Sequence, residues 1–410
     1  MKRFLSVVLA AFMMEMSIYG IMPLAMGEGV LDVGIDAATE MPVLLEEVEN
    51  VGGLSPEFVD DLDDVAVKLV DGDVAKEEKD EAEVQDNASN IPIDEKHFPD
   101  KVFRSYVKKQ FGGGDDILTK TEIDDVRWIY VSDMGISKLT GIEYFTNLEE
   151  LSCDDNKLTS LNLKKNGKIK YLRCGSNKLT SLDVSGCSAL ETLYCNSNKL
   201  TKLVLGKTKV REAYCYNNKL KTLDVSKCSY LESLDFSDNR LGKVNLDKNT
   251  KLKSLNCDYN SLTKLDVSKC KALTELSCCS NGMTTLTLGN NRKLEKINCN
   301  NNKIKALNVS KCTALETLIC EENALTKLTL GKNTKLTSIS CGNNKIKTLN
   351  VSQCTALESL DCSRNKLTKL TLGKNTKLEE ISCFDNSLEF LDVSKCTALI
   401  KLYASNNKLT

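Results

Sequence analysis

An asparagine returns thirteen times, from Asn156, Asn177, Asn198 and Asn218 onward to Asn407, every 21 residues except for one interval of 20 between Asn198 and Asn218. Around each lies the same frame, which in the first copy reads Leu148, Leu151, Cys153, Asn156, Leu158, or L-x-x-L-x-C-x-x-N-x-L. A unit this short has no core of its own, so neighbours must stack and bury a continuous apolar row between them. The chain is thereby constrained to a solenoid. A second apolar half follows in every copy (Leu158, Leu161, Leu163, then Leu179, Leu182, Val184). Both halves have period two, the spacing of strands, and two short strands with their turns leave no room for a helix of ordinary length. The expected fold is mainly β, with parallel β-ladders on the concave and convex sides and Leu, Val, Ile and Cys pointing inward. At ~4.8 Å per strand step, thirteen coils make a stack roughly 60 Å long. Each repeated Asn is expected to turn its amide onto backbone groups of the bend, so none is carried forward as a binding residue.

The frame resembles the leucine-rich repeat superfamily with Cys at the third apolar position, and the nested ten-residue unit resembles the IRREKO-type bacterial repeats. The resemblance implies a solenoid that binds partners on its concave face.

Charge divides the rest of the chain. Residues 1–27 open with Lys2 and Arg3, continue with the apolar stretch Phe4 to Met14, which Glu15 interrupts, and offer Ala25-Met26-Gly27 for cleavage. This reads as a secretory signal peptide rather than a membrane span, and places the protein outside the cell or on its surface. Residues 28–90 hold 20 acidic residues against three lysines, net −17. Such a segment has too little apolar surface to offset the cost of ordering. It reads as a disordered spacer, or alternatively as an electrostatic tether: with +1 on residues 1–27 and a total of −2, residues 91–410 carry +14. That excess is mostly lysine in the turns. It either solvates a convex face or attracts an anionic envelope polymer or acidic glycan. Nucleic acid is not expected, because basic and aromatic residues form no readout motif.

Residues 91–145 read as an N-terminal cap. Pro99 suits the first turn of a helix through Val102, Phe103, Tyr106 and Val107. Thr119 and Glu122 have capping-box spacing. Val126, Ile129, Val131, Met134 and Ile136 form a degenerate first repeat with Met134 in the Asn slot. The cap with Lys138 to Tyr144 resembles those of internalin-like secreted bacterial proteins. Residues 111–122 align with a calcium loop through Asp115, Thr119 and Glu122, but Phe111, Gly113 and Asp116 spoil the ligand and turn positions. A relict that packs in the cap is expected, without calcium. Residues 146–410 form thirteen repeats, and because the chain stops at Thr410 inside a repeat, a truncated sequence is expected.

Eighteen cysteines in an exported chain would suggest disulfides. Eleven of them, however, occupy the inward slot three before the Asn, where Phe236 and Ala404 stand in two other copies. A slot that accepts Phe or Ala uses the thiol as a small hydrophobe. Six more (187, 228, 270, 312, 354, 396) recur every second coil, ~9.6 Å apart and so beyond disulfide reach. Free buried thiols are expected, with Cys279 alone exposed, which suits an anoxic habitat. With no Cys-x-x-Cys pair, zinc is not expected.

Catalysis finds no constellation. His97 is the only histidine and lies far in sequence from any nucleophile, and Glu149-Glu150 or Glu379-Glu380 alternate faces on a strand. No enzyme activity and no cofactor are expected. The candidate site is on outward strand positions, six, four and two residues before each Asn. Most are small and polar, such as Ser233, Ser254, Ser338 and Ser382, but the second to fourth repeats place Tyr171, Arg173, Tyr194, Tyr214 and Tyr216 side by side. Exposed Tyr and Arg carry interface energy and stack on sugars or cations, so the partner is a protein or glycan. The alternative is a tyrosine ladder that merely stabilises the sheet. A weaker, dispersed group is Ile319, Glu321, Phe384 and Tyr403. Three roles stay open: a surface scaffold that binds a partner, a spacer in a larger surface protein, and the recognition part of an enzyme with a further domain.

Overall fold

The structure is a computed structural model that describes residues 90–410. The expected signal peptide and, but for Asn90, the acidic segment 28–90 lie outside the described residues. Fourteen parallel strands of three residues each form one sheet, from Trp128–Tyr130 to Lys401–Tyr403, paired in sequence order along the stack. In each strand but the last the middle residue is buried, as at Leu172, Leu193 and Ala213, and its two flanks face out; Leu402 of the last strand is exposed.

The repeated asparagines bond as the turn argument requires. Asn302, in the middle of the stack, accepts from Met283 N–H at 3.1 Å through Oδ1, and its Nδ2 donates to the carbonyls of Cys278, Cys299 and Asn300. One amide thus joins two successive coils and closes its own bend. The residue before it is left-handed in every coil, from Asp133 (φ 53°) to Asn406 (φ 55°). This conformation favours Asn, Asp and Gly, and it aims each N–H at the next coil, as from Asp155 to the Gly175 carbonyl.

The second ladder exists, but as four separate two-stranded pieces: 181–183 with 202–204, 264–266 with 285–287, 306–308 with 327–329, and 348–350 with 369–371. Coils of two kinds explain the breaks. One kind turns through Val-Ser-x-Cys or the Val-Ser-Gly-Cys of the first such coil, where an Asp or Asn side chain accepts from the Ser N–H, as Asp266 does from Ser268 at 2.8 Å. The other turns through Leu-Gly, except at Leu163-Lys164 and Leu246-Asp247. Every paired junction places a glycine over a serine. At Gly289 (φ +63°) a Cβ would stand 2.7 Å from that of Ser268, so only glycine lets the coil settle close enough to pair. Where Asp247 fills the glycine slot above Ser226, no strand pair forms. The true convex period is therefore two coils.

All eighteen cysteines are free and buried. Burial pushes their thiols up, to about 12 at Cys299 and about 11 at Cys312. The expectation that Cys279 is exposed is corrected: it is 8 % exposed, because the Asp258 carboxylate accepts its N–H and Ser277 Oγ lies beside its sulfur. The column that alternates Cys with Asn is also buried, and Asn249 Nδ2 donates to the carbonyls of Val225 and Cys228.

In the cap, the helix spans Lys101–Phe111 and buries Phe103 and Val107. Its N-cap is Asp100, so Pro99 lies just before the helix instead of in its first turn. Asp100 does two things at once: Oδ1 caps Val102 and Phe103, while Oδ2 accepts from the N–H and hydroxyl of Ser137 in the first coil, each at 2.8 Å. The capping box of Thr119 and Glu122 is formed on the helix Lys120–Asp125. In the calcium-loop-like stretch Asp115 accepts from Ile117 N–H and Glu122 from Thr119, so both carboxylates serve their own backbone. Met134 N–H and Ile136 N–H both bond Asn156 Oδ1, which ties the degenerate first repeat into the stack.

Candidate binding face

Outward strand residues form three columns along the concave sheet. Arg173, Tyr194 and Tyr214 are register partners in the middle column. The rings of Tyr194 and Tyr214 stack at 4.7 Å with a 14° tilt, and the Arg173 guanidinium lies over Tyr194 at 5.1 Å from its centroid. Asp154 holds Arg173 from behind, accepting from Nε at 2.9 Å. The stack therefore begins in an anchored cation and continues as two half-buried rings. Burial pushes both tyrosine hydroxyls up, so they remain protonated donors at neutral pH. Tyr214 hydroxyl donates to Glu212 and accepts from Ser233.

The other two expected residues flank this line. Tyr171 is 46 % exposed in the column nearest the strand starts, and Tyr216 is half-buried beyond the strand end. The structure adds two residues that the sequence frame passed over. Trp128 and Tyr130 are exposed on the first strand, and Tyr130 hydroxyl donates to Glu150 at 2.8 Å. They were hidden because Met134 replaces the marker Asn there, although their alternation with Ile129 and Val131 was the available signal. Exposed aromatic residues thus occur on the first strand and again from the second to the fourth repeat, with Glu150 and Ser152 on the strand between them.

The dispersed group does not join it. Phe384 and Tyr403 line a shallow recess with Asp361 and Glu380, where the Arg364 guanidinium lies 5.5 Å from the Phe384 centroid. Ile319 and Glu321 lie between the two sets, with Ser340 hydroxyl donating to Glu321. His97 is in the cap, its Nδ1 on Asp94 at 2.7 Å and its ring 6.1 Å from that of Tyr144. Among the described residues, no group of three or more His, Cys, Asp or Glu could hold a metal ion, and no helix is long and apolar enough to cross a membrane.

Coils of this construction, with one Asn-closed bend and one inward apolar row each, define the leucine-rich repeat class. Residues 98–239 match the family model of the leucine-rich repeat domain of the endo-β-N-acetylglucosaminidase EndoS. The functional domain of InlJ from Listeria monocytogenes, whose structure is described as including a cysteine ladder, is 30 % identical, with a TM-score of 0.55 over 78 % of this chain and 76 % of that one. The internalin InlF of the same organism is 23 % identical with a TM-score of 0.55, covering 78 % of this chain and 92 % of its own. YopM from Yersinia enterocolitica is also 23 % identical, with a TM-score of 0.57 over 75 % of this chain and 69 % of that one; these last two show the fold alone. No curated protein matches the chain significantly. The chain belongs to the leucine-rich repeat proteins, among their internalin-like members with an inward cysteine ladder.

Proposed function

We propose that the protein is a non-catalytic scaffold, secreted or held at the cell surface, that binds a protein partner on its concave face, with Tyr171, Arg173, Tyr194, Tyr214 and Tyr216 at the centre of the contact. One observation carries this reading: the stack of Arg173, Tyr194 and Tyr214 is preformed, half-exposed, and held by Asp154, Glu212 and Ser233. Preorganised aromatic and guanidinium groups give up little entropy on binding, and they are the residue types in which interface energy concentrates. The leucine-rich repeat fold, typical of interaction scaffolds, supports it. So does the second pair of exposed aromatic residues, Trp128 and Tyr130, two strands away on the same face. The lysine columns of the opposite side are a separate surface, suited to an anionic envelope polymer.

A second reading, with a glycan in place of a protein, is favoured by the match of residues 98–239 to a glycosidase's repeat domain, a stretch that includes the aromatic patch. In it the solenoid is the recognition or spacer part of a larger surface enzyme. Both readings use the same residues. The test is the double substitution Tyr194→Ser with Tyr214→Ser, assayed against whatever a surface-protein and glycan screen of the full chain retrieves. Removing two central anchors should weaken binding by roughly a hundredfold or more, that is at least ~2.7 kcal/mol, with the melting transition retained. Unchanged binding by a folded double variant places the site elsewhere and leaves the tyrosines as a stabilising ladder.

A further inference from the structure

Charge is distributed unevenly around the solenoid. Residues 91–410 carry +14, yet the three outward columns of the concave sheet hold nine acidic residues against Arg173, Lys296 and Lys401. The concave face is therefore net −6, and +20 lies elsewhere. Lysine or arginine follows the repeated Asn in nine of thirteen coils, which sets a basic edge beside an acidic floor.

The pairing of these carboxylates sharpens the contrast. Glu275 and Glu380 have lysine partners, and Asp154 has Arg173. Asp235, Asp258, Glu321 and Asp361 have none among the ion pairs of the described residues; they accept only from neutral groups, such as Ser237 N–H and hydroxyl on Asp235 and Cys279 N–H and Ser277 hydroxyl on Asp258. Burial pushes the Asp258 carboxyl up, and Asp235 adds to the effect, as expected of negative charge held without a cation. The groove here, about 430 Å³, begins at Tyr214 and is floored by Asp235, Asn256, Ser277 and Asn298. Asp235 is the unpaired carboxylate of that lining and the register neighbour of Tyr214, Glu275 and Lys296 there pair with each other, and Asp258, Glu321 and Asp361 lie outside it on the same concave face.

We infer that the concave face takes a basic protein segment, with lysine or arginine heads at Asp235, Asp258, Glu321 and Asp361 and the aliphatic stem of the residue at Asp235 on Tyr214, its register neighbour. The segregation of charge within a basic domain is the reason: a partner chosen by the domain's overall charge would be acidic, and this face would repel it. The inference rests on the concave face being the binding surface but not on the tyrosines carrying the energy.

The test couples a nona-lysine peptide to the full chain with carbodiimide and maps the products residue by residue, with glycinamide coupled in parallel to correct for accessibility. The ratio of peptide to glycinamide coupling at Asp235, Asp258 and Asp361 is expected to exceed that at Asp155, Asp238 and Asp247 by about fivefold or more, because the concave face focuses the field. Equal ratios overturn the inference; if the tyrosine double variant still loses its partner, the concave reading survives without it. A higher ratio at the three reference carboxylates contradicts both. As a second arm, Asp235→Asn should lower the Asp258 ratio at least about threefold by removing the neighbouring charge that acts on it, and an unchanged value counts against the inference. The substitution reproduces the asparagine that Asn256 and Asn298 already place in that column, so the fold is retained.

Discussion

Tyr259 shows how one residue can work against its own fold. It occupies the left-handed slot before Asn260, with φ 51° and 62 % of its surface exposed. A bulky residue there carries a cost of roughly 1–2 kcal/mol that Asn or Asp largely escapes. The same slot holds Asn217, Asn301 and Asn343 in other coils. Tyr259→Asn should therefore stabilise the protein by about 1 kcal/mol, seen as a higher urea midpoint at unchanged slope. An unchanged or lower midpoint would mean that the tyrosine ring makes compensating contacts. This conformation was not read from the sequence, though its composition, rich in Asp, Ser and Asn, marks the slot. The inward asparagine was readable because a polar residue so regular within an apolar frame has to satisfy backbone groups.

At the level of strands and turns, the concave ladder was fully legible, since period-two alternation recurs at one register in every coil. The convex ladder was legible only in kind. Its interruptions depend on which turn lies over which, a relation between residues 21 apart that alternation within one coil does not contain. The signal was nevertheless present, because Val-Ser turns recur every second coil and Leu-Gly turns alternate with them except where Lys164 and Asp247 fill the glycine slot. Gly289→Ala should destabilise by roughly 1–3 kcal/mol, since the new methyl meets the Ser268 Cβ at 2.7 Å with φ at +63°. Gly242→Ala, where a Cβ would meet nothing within 4 Å, is the matched control in thermal melting. Equal losses from the two would remove the steric explanation of the paired coils. In the candidate site, Arg173, Tyr194 and Tyr214 came from counting outward positions. Trp128 and Tyr130 did not, because the first coil lacks its marker. Cys279 was misplaced because its outward slot is covered by a neighbour's carboxylate, which alternation does not reveal.

For the whole molecule, the thiols set how stability responds to pH. Their folded values lie above the ordinary 9.0, at about 11 for Cys312 and about 12 for Cys299, because burial disfavours the thiolate. Stability from such groups is complete below 9.0 and is lost as pH rises through the interval above it, where the unfolded chain ionises and the folded one does not. The urea midpoint should hold steady to about pH 8 and fall steeply from about pH 9 to 11. A midpoint that is flat across that range would mean that the thiols are oxidised or exposed.

The two sides of the stack differ in surface: lysines and glycine turns on the outside, and a sheet with one aromatic stack and a net acidic face within. Whether the inner face is the working one is decided most directly by hydrogen–deuterium exchange of the full chain with and without a partner retrieved by the binding screen. Protection is predicted along the concave strands and the bends that follow them, from Trp128 through Asp361, with the turns around Lys227, Lys269, Lys311 and Lys374 unchanged. Protection confined to those lysine turns, with the concave strands unaffected, would contradict the account.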